Sequence, residues 1–403
     1  MAFSIKYIKI CLFGLCVSLT TCTDNIDIQE DYTWEEKAMS SIHEQLLMAV
    51  DEYNPMFPPR SVLSSGSVRN SNKEDWTCGF FSGTLWFAYE LTNDTILFNS
   101  AIKFTNGVRD AKYRKDSHDI GFIINCSVGN ALRLTKDQEY YNDMIIAAEN
   151  LALRYDTRVG CIKSWDWSGW EFPVIIDNIM NLELLFRTAK ITDNSLLRDI
   201  AISHADKTLL NHFRSDNSCF HLVNYDLKGN VLSKETHQGF DNYSSWTRGQ
   251  AWALYGYTMC YRETKEDRYL NHAIKIAHYI LNHPTLQKNK IPCWDLSVPH
   301  PNEELKDASA AAIIASALLE ISSVCDDPKK SSSFFFFAED ILKTLSSNNY
   351  LNKPGTNGFF ILNHSVGNYV KSEEVDVPII YADYYYLEAL IRYKKLKTNK
   401  GIY

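Results

Sequence analysis

The stretch Glu171-Phe172-Pro173-Val174-Ile175-Ile176-Asp177-Asn178-Ile179-Met180-Asn181-Leu182-Glu183-Leu184-Leu185-Phe186 decides how the rest of the chain is read. Its spacing predicts a helix that starts just after a proline and is apolar over most of its circumference, as expected of an element buried on every side. The Asp177-Asn178 pair interrupts that pattern. One explanation is capping, because Asp and Asn near a helix start accept bonds from free backbone N–H groups. The other is that the pair faces something other than core.

Similar segments recur on both sides of this one. Stretches rich in Gly, Ala and aromatics at 79–91, 119–134, 175–190, 248–263, 308–323 and 381–395 read as helices without a polar face. Amphipathic stretches at 34–53, 95–111, 137–155, 194–213, 266–283 and 331–347 alternate strictly with them. Turns such as Thr92-Asn93-Asp94, Thr135-Lys136-Asp137 and Thr192-Asp193-Asn194 end a buried segment and supply the cap of the next amphipathic one. Repeated helix pairs of this kind predict an all-α chain closed into an (α/α)6 toroid, with the apolar helices inside and the amphipathic ones around them. Alternation over Phe220–Leu232, with Lys228-Gly229-Asn230 at its centre, adds a short β-hairpin in one loop.

The loops at 54–78, 112–118, 156–174, 214–247, 284–307 and 348–380 all run from an outer helix to an inner one, so they gather at one mouth of the toroid. They are rich in Trp, His and Asp, which on loops above a rigid scaffold reads as a ligand site. The inner-helix starts add Asp75-Trp76, His118-Asp119, Trp165, Asp177-Asn178, Ser245 with Arg248, Gln250 and Trp252, Trp294-Asp295 with Asp307, and Asp383. Asp119 and Asp177, on consecutive inner helices, are expected to face each other across the mouth. Two neighbouring carboxylates do not both ionise freely, so one titrates high and can donate a proton near neutrality, the shared need of glycosidic chemistry. The tryptophans offer flat faces to sugar rings, whereas Trp86 and Trp246 read as packing. Arg248 either grips a carboxylate on the substrate or pairs with an internal Asp or Glu.

With 403 residues, 45% hydrophobic and 22% charged, the chain can bury a large core. A net charge of −8 without any Lys/Arg-rich block argues against a nucleic-acid partner. Lys6 and Lys9 precede the apolar run Ile10–Val17 and the ending Leu19-Thr20-Thr21-Cys22. That pattern reads as a lipoprotein-type signal peptide over 1–22, too short to span a bilayer, with Cys22 the lipidated residue. Residues 23–33 are then a tether and 34–403 a single catalytic domain. The expected location is the periplasm or outer membrane of a bacterium, with the membrane touched only through the lipid anchor. Cys78, Cys126, Cys161, Cys219, Cys260, Cys293 and Cys325 are scattered without a C-x-x-C pair or a His/Cys cluster, so they read as small buried hydrophobes rather than zinc ligands.

The runs Asp75-Trp76-Thr77-Cys78-Gly79-Phe80-Phe81-Ser82-Gly83, His118-Asp119-Ile120-Gly121-Phe122, Pro173–Leu185, Thr247-Arg248-Gly249-Gln250-Ala251-Trp252 and Tyr381-Ala382-Asp383-Tyr384-Tyr385-Tyr386 resemble unsaturated glucuronyl hydrolases, glycoside hydrolase family 88. The resemblance implies an (α/α)6 barrel and an enzyme that hydrates the C4=C5 double bond left on uronic acids by polysaccharide lyases. It implies Asp177 as general acid and base, Asp119 as its assistant, and Trp76, His118, Trp165, His221, Gln238, Arg248 and Trp252 as substrate contacts, with no metal or cofactor. Ser365 and Lys371, in a loop before the last inner helix, resemble the pair that some members set against sulfated sugars, at a different spacing. The nearest alternative is an unsaturated rhamnogalacturonyl hydrolase acting on pectin fragments. An alternative of another class is a non-catalytic glycan-binding lipoprotein.

Overall fold

The computed structural model describes residues 33–167, 169–300 and 304–402. The expected signal segment, Cys22 and nearly all of the tether lie outside the described residues. In chain order the elements begin with α1 (Trp34–Glu52), the hairpin β1 (Pro59–Val62) and β2 (Val68–Asn70), α2 (Cys78–Thr92) and α3 (Thr95–Val108). Next come α4 (Ile120–Ile124), a π-helical turn (Asn125–Gly129), α5 (Asn130–Thr135), α6 (Gln138–Ala152), and the strands β3 (Tyr155–Asp156), β4 (Cys161–Ile162) and β5 (Phe172–Ile175). α7 (Asn178–Thr192), α8 (Ser195–Asn211), β6 (Leu222–Tyr225), β7 (Val231–Glu235), α9 (Thr247–Thr264), α10 (Asp267–Asn282) and α11 (Pro284–Asn289) follow. The described chain closes with α12 (Ala308–Val324), α13 (Pro328–Leu345), β8 (Ser365–Asn368), β9 (Glu373–Val377) and α14 (Ile380–Lys397).

The inner ring is α2, the α4–α5 rod, α7, α9, α12 and α14, and the outer ring is α1, α3, α6, α8, α10 and α13. Every residue of α12 from Ala308 to Ser322 is buried, whereas α10 buries only one stripe, Tyr269, His272, Ala273, Ile276, Ala277, Ile280 and Leu281. The joints follow the capping logic of the sequence. Asn93, Lys136 and Asp193 end inner helices with φ between 55° and 60°, and Asp94, Asp137 and Asn194 then cap the next outer helix through their side chains.

The inner helices approach closely where side chains are missing. A Cβ on Gly79 would stand 2.2 Å from the Ile123 carbonyl oxygen, so no other residue fits between α2 and α4. Lower in the ring Phe80, Phe122, Trp252 and Tyr385 meet edge to face or tilted, with successive centroids 5.6, 5.2 and 5.3 Å apart, and plug the axis. The mouth is therefore a blind cavity rather than a channel.

Two expectations change. The helix expected to start just after Pro173 begins only at Asn178, as α7, and Phe172–Ile175 instead form the strand β5. β5 pairs with β6, and β6 with β7, so the expected hairpin is part of a three-stranded sheet. Gly229, at φ 84°, makes its turn. The short apolar run Phe172-Pro173-Val174-Ile175 is ambiguous between strand and helix, and the cross-strand partners that decide it lie some fifty residues on. The seven cysteines among the described residues are free thiols, and six of them are buried.

Candidate active site

β5 delivers the chain to the mouth and α7 leaves it, so the residue between them, Asp177, is held at the wall of the cavity. The cavity is about 420 Å³ and also exposes Trp76, His118, Asp119, Trp165, Gln238 and Arg248. Asp177 is the N-cap residue of α7, yet its side chain makes no capping bond. Asp119 stands at the same place on α4 and likewise makes none. Capping therefore accounts for neither carboxylate.

Oδ2 of Asp177 is buried without a hydrogen-bond partner and lies 3.6 Å from His221 Nε2. Burial pushes this carboxyl from 3.8 up to about 7; the Arg248 charge opposes the rise and the Asp119 charge adds to it. The helix N-terminus also favours the carboxylate, but that effect reaches only about 2 kcal/mol in partly buried settings. A rise of about three pH units corresponds to roughly 4 kcal/mol, so burial prevails. Asp119, with 21% of its side chain exposed, accepts a bond from Ser117 Oγ at 2.8 Å and faces His118 Nε2 at 3.4 Å.

His221 supports Asp177 from behind. Its Nδ1 accepts the backbone N–H groups of His237 and Gln238 at 3.0 and 3.2 Å, which leaves the proton of the neutral ring on Nε2, toward Asp177. Burial holds this imidazole well below its ordinary pKa. The fully buried indole of Trp252 lies against the same carboxyl. Neither His221 nor Trp252 lines the cavity; both sit behind its wall. Gln238 does line it, with Nε2 donating to the Gly367 carbonyl at 3.1 Å.

Arg248 resolves between the two alternatives left by the sequence. Its guanidinium pairs with the buried Asp307 at 3.1 Å and donates to the carbonyls of Val366 and Gly367, so it has an internal partner. Ser365 is fully buried in β8, with Oγ bonded to nothing, and does not reach the cavity; Gly367, Asn368 and Lys371 of its loop do. Asp295 and Asp383, grouped with the mouth residues on sequence, turn out to be organisers of loops. Asp295 Oδ2 accepts Phe240 N–H and Ser244 Oγ, and the Asp383 carboxyl accepts the N–H groups of Ile361 and Leu362.

Several cavity residues were not singled out from the sequence. Arg60 holds Glu374 through Nε and a terminal nitrogen at 2.7 and 2.9 Å and Asp75 at 2.7 Å, tying β1, β9 and the start of α2 together. Trp167, 54% exposed, stacks on Trp165 with centroids 4.7 Å apart and planes 14° from parallel, and His237 packs against both. The Trp-rich loop hinted at Trp167, whereas only pairing in space brings Arg60 to Glu374.

The sequence pattern of Glycosyl Hydrolase Family 88 matches residues 51–377. A relative from Formosa agariphila, described as unsaturated glucuronyl hydrolase, is 46% identical over 344 residues, 84% of this chain and 85% of its own. An unsaturated chondroitin disaccharide hydrolase of Streptococcus agalactiae serotype III is 31% identical over 367 residues, 89% of this chain and 91% of its own. The crystal structure of an unsaturated glucuronyl hydrolase specific for heparin superposes with a TM-score of 0.89 at 49% identity, over 91% of this chain and 98% of that one. With the same fold, and with sequence likeness running from the first hairpin to the last, the chain belongs to glycosyl hydrolase family 88 and is a glycoside hydrolase of the unsaturated glucuronyl hydrolase type.

Proposed function

We propose that this enzyme removes a 4,5-unsaturated uronic acid from the non-reducing end of lyase-generated oligosaccharides, with Asp177 as general acid and base and Asp119 assisting. The observation that carries the reading is Asp177 itself: an uncapped, buried carboxyl raised to about 7 at the wall of a blind cavity. Near neutrality such a group holds a proton and can give it up. The proton goes to C4 of the enol ether, and the cation that develops at C5 is captured by water. Asp177, now a carboxylate, takes the proton that water loses. The resulting hemiketal opens by breaking the bond from C5 to the ring oxygen, leaving a ketone at C5, and the hemiacetal at C1 expels the aglycone alcohol. Because water attacks C5 rather than the anomeric carbon, the spacing of the two carboxylates does not report stereochemistry as in ordinary glycosidases.

The cations Arg69 and Lys371 at the cavity rim suit an anionic sugar. Together with the likeness to the heparin-specific structure, they make heparin-derived disaccharides the first substrates to try. The reading carries with it export through the 1–22 segment and a lipid anchor on Cys22. The test is loss of the ultraviolet absorbance of the C4=C5 bond with unsaturated disaccharides from heparin, chondroitin, hyaluronan, gellan, xanthan and ulvan. Decay with at least one is expected; no decay with any, or decay only with unsaturated rhamnogalacturonan fragments, overturns the proposal.

A further inference from the structure

Asn181 lies on α7 just over one turn beyond Asp177, fully buried between the starts of two inner helices. Asp119 is the N-cap residue of α4, but the bond a capping side chain would normally accept, from the third residue of the helix, goes elsewhere. The N–H of Phe122 donates to Oδ1 of Asn181 at 2.6 Å. With the cap supplied from α7, the Asp119 carboxylate is free to turn into the cavity.

The backbone bond also fixes which way the Asn181 carboxamide points, so its Nδ2 is the atom that meets His118 Nδ1, at 3.3 Å. A neutral imidazole that accepts at Nδ1 carries its proton on Nε2, and Nε2 faces Asp119 Oδ1 at 3.4 Å. Burial lowers the pKa of His118, against the pull of the Asp119 charge, and so favours the neutral ring. Arg154 and Asn178 are the other polar groups acting on this ring, and the buried Oδ1 of Asn178 has no bonded partner. Gly121 makes the contact possible, because a Cβ there would stand 2.5 Å from Cβ and Oδ1 of Asn181.

We infer that Asn181 is a positioning residue: one carboxamide caps α4 in place of Asp119 and locks His118 in the tautomer that presents Nε2–H to Asp119. The inference rests on the proposed function only for the consequence in turnover; the tautomer stands apart from it. Asn181→Asp keeps the acceptor for Phe122 N–H and removes the donor to His118. Its kcat is expected to fall about tenfold or more, a share of what a positioned proton-transfer group contributes. Its thermal midpoint should stay within a few degrees of the parent, and the loss should shrink to less than about twofold in an Asp119→Asn background. Nitrogen-15 NMR of the unmodified protein, with His118 assigned through His118→Gln, should show the proton on Nε2. Parental kcat in Asn181→Asp, or a His118 proton on Nδ1 directed at Asn178, overturns the inference. An Nε2 proton in a protein inactive on every unsaturated uronide upholds the tautomer and instead sinks the proposed function.

Discussion

Asp177→Asn should make the protein more stable at alkaline pH while abolishing turnover. The folded carboxyl titrates at about 7 against 3.8 for the free group, so between those values the folded protein holds a proton that the unfolded chain has released. Stability from this group is whole below about pH 4 and is lost as pH rises through 7, by as much as about 4 kcal/mol in total. The Asp177 side chain keeps 13% of its surface open to the cavity, and water reaching it makes that figure a ceiling. An amide has no such proton to lose. For about 370 ordered residues the unfolding entropy is about 0.8 kcal/mol/K, so the ceiling corresponds to a shift of about 5 °C. The assay is the thermal midpoint of both proteins from pH 4 to pH 9. The difference between variant and parent should grow in the variant's favour up to pH 7 and then level off. Asp383, which burial raises to about 8, titrates in both proteins and cancels. A difference independent of pH would refute the elevated pKa and with it the proton donor.

Arg248→Ala should cost stability before it costs affinity. It strands Asp307, fully buried and at the start of α12, and breaking such a pair typically costs about 3–5 kcal/mol. Losing the positive charge near Asp177 should also move the alkaline limb of the kcat/KM profile to higher pH, whereas a pure rise in KM with unchanged stability would return Arg248 to the role of a substrate clamp. Trp167→Ala should raise KM about fivefold, about 1 kcal/mol of lost stacking, while leaving the thermal midpoint within a degree, because the ring is more than half exposed; unchanged KM on every substrate would exclude it from the sugar site.

The toroid was legible because its signals are local. The inner segments are apolar nearly all round, the outer ones have a single buried stripe, and the joints into α3, α6, α8 and α13 carry their own side-chain caps. The sheet beside α7 was not legible, because Phe172–Ile175 become a strand only when Leu222–Tyr225 arrive to pair with them. The same division runs through the site. Asp119 and Asp177 are conspicuous in sequence as polar residues at the starts of core helices. Arg60, Glu374 and His237 reach the cavity through loop pairings with no periodicity to betray them. Asn181 is the instructive case, since it sits inside the stretch that defined the fold and nothing in its local sequence sets it apart from the core positions around it.

Asn181 and Asp177 also explain each other's presence on α7. A buried acid that must stay protonated cannot serve as a cap, because N–H donors at a helix start favour its ionised form. The Asp177 side chain makes no capping bond to α7, and Oδ2 has the side chains of His221 and Trp252 beside it, with burial outweighing them. On α4 the free N–H of Phe122 is satisfied by a neutral amide from the neighbouring helix instead of by Asp119. The polar residues at the starts of these two inner helices thus divide the work: amides fasten the backbone, and the carboxyls that would ordinarily do so are left to the cavity.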